Sequence, residues 1–248
     1  SDLLGRGILK YGLLVLAFFF SFHTVCFSIS VKLPYDTLIF GKKMSASVFI
    51  ANPSKEFKAV ELTVKQRRHS FSGEELLDDT DDFLILPPQI IIAPKQERVV
   101  TLQWMGEPYF DSERSYRVIA EEVAIPMKRK TLEAGSKSAV VTIRLRFVNS
   151  FYVRPKKGHA KLRISEVRPS GNEMLVVLRN DGTRHKILDR FSLQLLSDSG
   201  ADLGYHFSID KAMLNQNINF LSGDVRHILI PWPKGLSKQA YSGRLEFD

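Results

Sequence analysis

Apolar residues recur at every second position in many short runs of this chain, and no other feature limits its fold so strongly. Ala46, Val48 and Ile50 alternate with Ser45, Ser47 and Phe49, while Val60, Leu62 and Val64 line one face of a second run. Successive side chains of a strand point to opposite faces, so period two marks a half-buried strand, whereas a helix repeats at about 3.6. Further runs lie at 83–86, 90–92, 99–104, 116–125 and 140–153. Asn52-Pro53, Ser72-Gly73, Pro87-Pro88, Pro94-Lys95 and Gly135-Ser136 separate these runs, and such pairs form turns. No stretch beyond residue 28 shows an amphipathic helix over three turns. Short strands punctuated by turns predict an all-β chain of sandwich type.

The pattern breaks once. Pro155 is followed by Lys156-Lys157-Gly158-His159, a polar basic stretch that suits an interdomain hinge. Strand-like runs then resume at 162–167, 174–178, 191–196, 205–209, 225–230 and 245–247. The chain has 248 residues, 44% hydrophobic and 25% charged, which is enough for two cores and argues against disorder. The expected domains are therefore 29–155 and 156–248, with no residue-level repeat visible between them.

The first 28 residues read differently. Arg6 and Lys10 form a positive region, Tyr11 to Phe22 an apolar stretch of 12 residues, and Thr24, Cys26 and Ser28 supply small residues after it. That order is the pattern of a secretory signal peptide, and the apolar stretch is short beside the roughly 20 residues of a spanning helix. Residues 1–28 are expected to be a signal peptide cleaved after Cys26 or Ser28, with an uncleaved anchor as the alternative. Cys26 is the one cysteine, so no intrachain disulfide and no cysteine-based metal site can form.

The net charge of +8 would allow an anionic partner. Lys and Arg are scattered, however, and the densest cluster, Lys128-Arg129-Lys130, comes without a recognition helix or aromatic RNA-binding motif, so nucleic-acid binding is not expected. His69, His159, His185, His206 and His227 show no metal-ligand spacing, and no G-x-S-x-G elbow or phosphate loop is present. Asp78-Asp79-Thr80-Asp81-Asp82 lacks the glycine and distal glutamate of a calcium loop and reads as a solvated loop. No enzyme activity, cofactor or metal is expected.

The stretch 137–155 is the most informative. Val141, Ile143, Leu145 and Phe147 share one face of a strand, and Thr142, Arg144 and Arg146 share the other. Alternation alone makes this an ordinary half-buried strand. Its surroundings add to that. The segments Leu86 to Val100, Glu113 to Val123, Leu145 to Pro155, Leu178 to His185 and Leu221 to Arg226 together resemble, in order, periplasmic chaperones of the chaperone–usher pilus pathway. The "Glu-x-x-Tyr-Arg" of Glu113 to Arg117 and "Leu-Arg-Phe" of Leu145 to Phe147 resemble the archaic branch of that family.

The resemblance implies two immunoglobulin-like β-sandwich domains in a boomerang, exported to the periplasm. It implies that Val141, Ile143, Leu145 and Phe147 are inserted into the groove of a pilin or fimbrial subunit lacking its last strand. The partners implied are such subunits and an outer-membrane usher, and an exposed apolar edge also invites self-association. The implied carboxylate-binding positions fall near Asp36 and at Ser150, neither of them basic, so Arg117 and Arg146 are taken as the substitutes. The segment 126–140 is long for a connection and is expected to be ordered by a subunit. The alternative reading is a structural or adhesive cell-envelope protein built from sandwich domains.

Overall fold

The computed structural model describes residues 29–124 and 144–247. The first unit comprises β1 (Ser30–Lys32), β2 (Thr37–Ile39), β3 (Ser45–Ala51), β4 (Lys58–His69), β5 (Glu75–Asp79), β6 (Phe83–Leu86), β7 (Gln89–Ile92), β8 (Glu97–Trp104), β9 (Arg114–Val123) and β10 (Arg146–Arg154). The second comprises β11 (Leu162–Ser170), β12 (Glu173–Asn180), β13 (Lys186–Ile187), β14 (Arg190–Leu196), β15 (Asp202–Asp210), β16 (Asn219–Phe220), β17 (Val225–Pro231) and β18 (Ser242–Glu246). Helices do not occur among the described residues. The fold is all-β, in two immunoglobulin-like sandwiches.

In the first unit one sheet runs β1-β3-β8-β6 and the other β2-β10-β9-β4-β5, with β7 also pairing β4. Period two explains the packing between them. Ala46, Val48 and Ile50 of β3, Val60 and Leu62 of β4, and Val100 and Leu102 of β8 are buried and meet across the sheets. Each such side chain contributes roughly 1.5–3 kcal/mol on leaving water. The second unit has the sheets β11-β12-β17 and β15-β14-β18, plus the short pair β13-β16, around Val176, Leu178, Phe191, Leu193, Phe220 and Ile228.

The acidic run is not simply a solvated loop. Asp78 and Asp79 lie in β5, facing Gln66 and Lys65 of β4. Arg68 Nε donates to Asp78 Oδ2 at 2.7 Å, Lys65 pairs with Asp79, and Asp82 accepts a hydrogen bond from the buried Tyr116 hydroxyl at 2.6 Å. Cross-strand charge pairs hold a segment whose composition alone suggests a loop.

The two units also share a corner that alternation does not reveal. At the end of β3, Asn52 Nδ2 donates to the carbonyls of Glu56, Ile92 and Ala93. At the end of β12, Asn180 Nδ2 donates to those of Arg184, Phe220 and Leu221. Both amide oxygens accept the backbone N–H two residues on, from Ser54 and Gly182. Each asparagine thus satisfies buried carbonyls where a strand turns away from its sheet.

Candidate functional site

The last strand of the first unit, β10, is flanked unequally. On one side β9 pairs with it from Arg146 to Val153, and Glu122 N donates to Leu145 O at 2.9 Å, extending that contact by one residue. On the other side β2 covers only Tyr152 to Arg154, in parallel register. Tyr152 N donates to Asp36 O and Arg154 O accepts from Phe40 N, so the even-numbered main-chain groups point to this side. By the two-residue period, those of Arg146, Val148 and Ser150 point the same way. No described strand meets them there.

The odd-numbered side chains face inward. Val153 and Phe151 are fully buried, and Phe147 is half-buried and packs on the same core. Leu145 is half-buried just before the strand begins, and does not belong to that core. Val141 and Ile143 lie outside the described residues, as does the segment 126–140. The row that fills the core at one end of β10 therefore leaves it at the other.

Beside this edge lies a cationic cleft. Arg117 of β9 stands opposite Ser150 of β10 and donates to its Oγ from Nη1 at 2.6 Å. Its Nε and Nη2 donate to the Glu75 carboxylate of β5 at 3.0, 3.1 and 2.6 Å. Arg67 of β4 brings its Nε to 2.5 Å from Glu75 Oε2, an ion pair without an aligned hydrogen bond, and its Nη1 has no partner among the described residues. The Arg67 side chain is 3% exposed. Burial, then the neighbouring Arg117 charge, holds its pKa below the usual arginine value. Burial raises the Glu75 carboxyl, but hydrogen bonds and charge from Arg117 and Arg67 outweigh it, and its pKa falls below the ordinary carboxylate value. Arg146, by contrast, is over half exposed and lies 3.8 Å from Glu121. Asp36 is exposed and meets β10 through its backbone.

The second unit closes this cleft from the far side, where Asp224 and Arg226 meet His69. His69 Nδ1 lies 2.6 Å from Asp224 Oδ2 and 3.0 Å from Arg226 Nη2. Burial holds the His69 pKa below its ordinary value. Gly73 adopts φ +88°, and a Cβ there would stand 2.5 Å from Arg226 Nη1, so both the turn and the close approach require glycine. At the other end His185 stacks on Tyr152 with ring centroids 4.0 Å apart, and its Nδ1 lies 2.5 Å from Glu113 Oε1. Asn219 Nδ2 donates to the Tyr152 hydroxyl at 2.8 Å.

Sequence reasoning picked out Arg117 and missed Arg67, Glu75, His69 and Arg226. The available signal was Arg67-Arg68-His69, a basic run closing a strong strand pattern. It passes for solvated surface because the second-unit residues that meet His69 lie about 150 residues away in sequence.

A family model described as the pili and flagellar-assembly chaperone, PapD N-terminal domain, matches residues 31–159. A comparison with curated protein sequences gives no significant match. Among solved structures, the chain is similar to one in the CsuC–CsuE chaperone–tip adhesion subunit pre-assembly complex from archaic chaperone–usher Csu pili of Acinetobacter baumannii. The identity is 13% and the TM-score 0.51, over 81% of this chain and 89% of that one. It is also similar to a chain in a chaperone–tip adhesin complex of CFA/I fimbriae biogenesis, at 14% identity and TM-score 0.56, over 88% and 98% of the two chains. The class 5 fimbriae chaperone CfaA gives 14% identity and TM-score 0.53, over 88% and 99%. At these identities the likeness is one of fold.

Proposed function

Because the chain belongs to the pili and flagellar-assembly chaperone family, we propose that it captures pilin or fimbrial subunits in the periplasm by lending them the open edge of β10. One observation carries this reading: the inward row of β10 is fully buried at Phe151 and Val153, beside β2, and only half-buried at Phe147 and Leu145, where no described strand covers the second edge. An open edge with an apolar row is an aggregation hazard unless another chain uses it. A subunit strand would take the main-chain groups of Arg146, Val148 and Ser150, and its groove would take Val141, Ile143 and Leu145. Phe147, half in the core, would form the base of that row. Each fully inserted aliphatic side chain is worth roughly 1.5–3 kcal/mol.

The subunit's terminal carboxylate would reach the cleft, where Arg117 and Arg67 present guanidinium groups suited to bidentate contact. Arg146 would add an exposed charge at the rim, worth at most about 1 kcal/mol. In this reading residues 1–28 are the export signal, 29–155 and 156–248 the two domains, and an outer-membrane usher receives the loaded subunit. No catalytic step is assigned.

Co-purification from the periplasm tests the proposal. The unmodified chain is expected to carry exported subunits, and Ile143→Asp with Leu145→Asp to lose them while melting at the native temperature. Loss of folding in that variant would make these residues core and refute the donor-strand role.

A further inference from the structure

We propose that Glu75 is an internal stand-in for the incoming carboxylate, filling the cleft in the free chaperone and leaving when a subunit terminus arrives. The inference rests on the reading of the cleft as a carboxylate site. Three observations carry it.

The first is charge. Arg67 and Arg117 share one carboxylate, and on the far wall Arg226 lies 3.7 Å from Asp224. Glu113, a third buried carboxylate of the cleft, is taken up by His185, so the two guanidinium groups of Arg67 and Arg117 have Glu75 between them, with His69 nearby held toward its neutral form by burial. Lys65, on the same sheet face, is already paired with Asp79. Arg67 is buried with Nη1 unpartnered among the described residues, and such a group in a poorly solvated site favours a further anion.

The second is mobility of the stand-in. Glu75 begins β5, which pairs with β4 alone among the described strands, and its side chain is 27% exposed. It can turn into water without uncovering core, whereas Arg67 cannot. The third is position. Arg117 is fixed to Ser150 Oγ, which lies on β10 at the base of the open edge. A chain paired along that edge and ending there would bring its carboxylate to the guanidinium groups that Glu75 now holds. The exchange swaps one carboxylate for another, so no buried charge is left uncompensated while the subunit is bound.

Binding of an acetylated six-residue peptide of alternating valine and threonine tests this. One form ends in a free carboxylate and its twin in an amide. In the unmodified protein the free acid should bind only about threefold tighter, because Glu75 competes. Glu75→Gln should raise that preference about tenfold further, and Arg67→Gln with Arg117→Gln should abolish it. If the arginine changes leave the preference intact, or none exists, the carboxylate site itself is refuted. If they abolish it and Glu75→Gln leaves it unchanged or lowers it, the site stands and the stand-in is refuted. A signal independent of folding in the variants comes from the unmodified protein. On saturation with the free acid, the carboxyl carbon resonance of Glu75 should move to that of a solvated glutamate, and with the amide it should not. No movement with the acid refutes the stand-in.

Discussion

The two halves of β10 share one alternation and differ in their neighbours. From Phe151 to Val153 the strand is buried, sewn to β9 on one side and to β2 from Tyr152 onward on the other. From Arg146 to Ser150 it has β9 alone among the described strands. β2 spans three residues, Thr37 to Ile39, and where it stops the inner row of β10 changes from core to half-buried. Burial on this strand is therefore decided by how far a short partner reaches, and period two looks the same on both sides of the boundary.

The strongest way to break this comparison is truncation in each half. Phe151→Ala should cost about 3–5 kcal/mol, as expected for a fully buried aromatic ring, and Leu145→Ala under about 1 kcal/mol. Urea unfolding of the two variants measures both, and equal costs would erase the difference between the halves. A smaller change sharpens it. Tyr152→Phe keeps the stack on His185 but removes the hydroxyl that accepts from Asn219, and should lower stability by about 1 kcal/mol.

Acid supplies a third test, directed at the contact between the units. The His69 pKa is below 6.5 when folded, so below about pH 6.5 the unfolded chain binds the extra proton more readily. The stability from keeping His69 neutral is present above that pH and is lost as pH falls toward the depressed folded value. Melting temperature should drop over that window, and His69→Gln should flatten the drop. A profile unchanged by the substitution would place the acid sensitivity elsewhere.

How much of this was legible in the sequence follows from what each feature depends on. Alternation located β3 and β4, whose burial is set by one sheet packing on another, and short apolar runs located β8, β9 and β12. β5 escaped notice because Leu76 and Leu77 stay partly exposed and Asp78-Asp79 look like a loop, while ladder and charge pairs hold the strand. Arg67 was hidden for the opposite reason: an outward position reads as solvent-facing, whereas in the fold Arg67 is buried beside Glu75, Arg117 and Arg226. The common corner of Asn52 and Asn180 rests on side-chain bonds to distant carbonyls, which no local pattern encodes. Arg117 was found through resemblance, but its partners Glu75 and Ser150 came from the geometry.

Amide hydrogen exchange along β10 tests the account most directly, in dilute free protein and in its complex with a co-purified exported subunit. The N–H groups of Arg146, Val148 and Ser150 should exchange fast in the free protein and become protected in the complex. Those of Tyr152 and Arg154 should be slow in both. Protection of the first three already in the free monomer, or their continued fast exchange in the complex, would contradict the claim that this edge is what the chain lends.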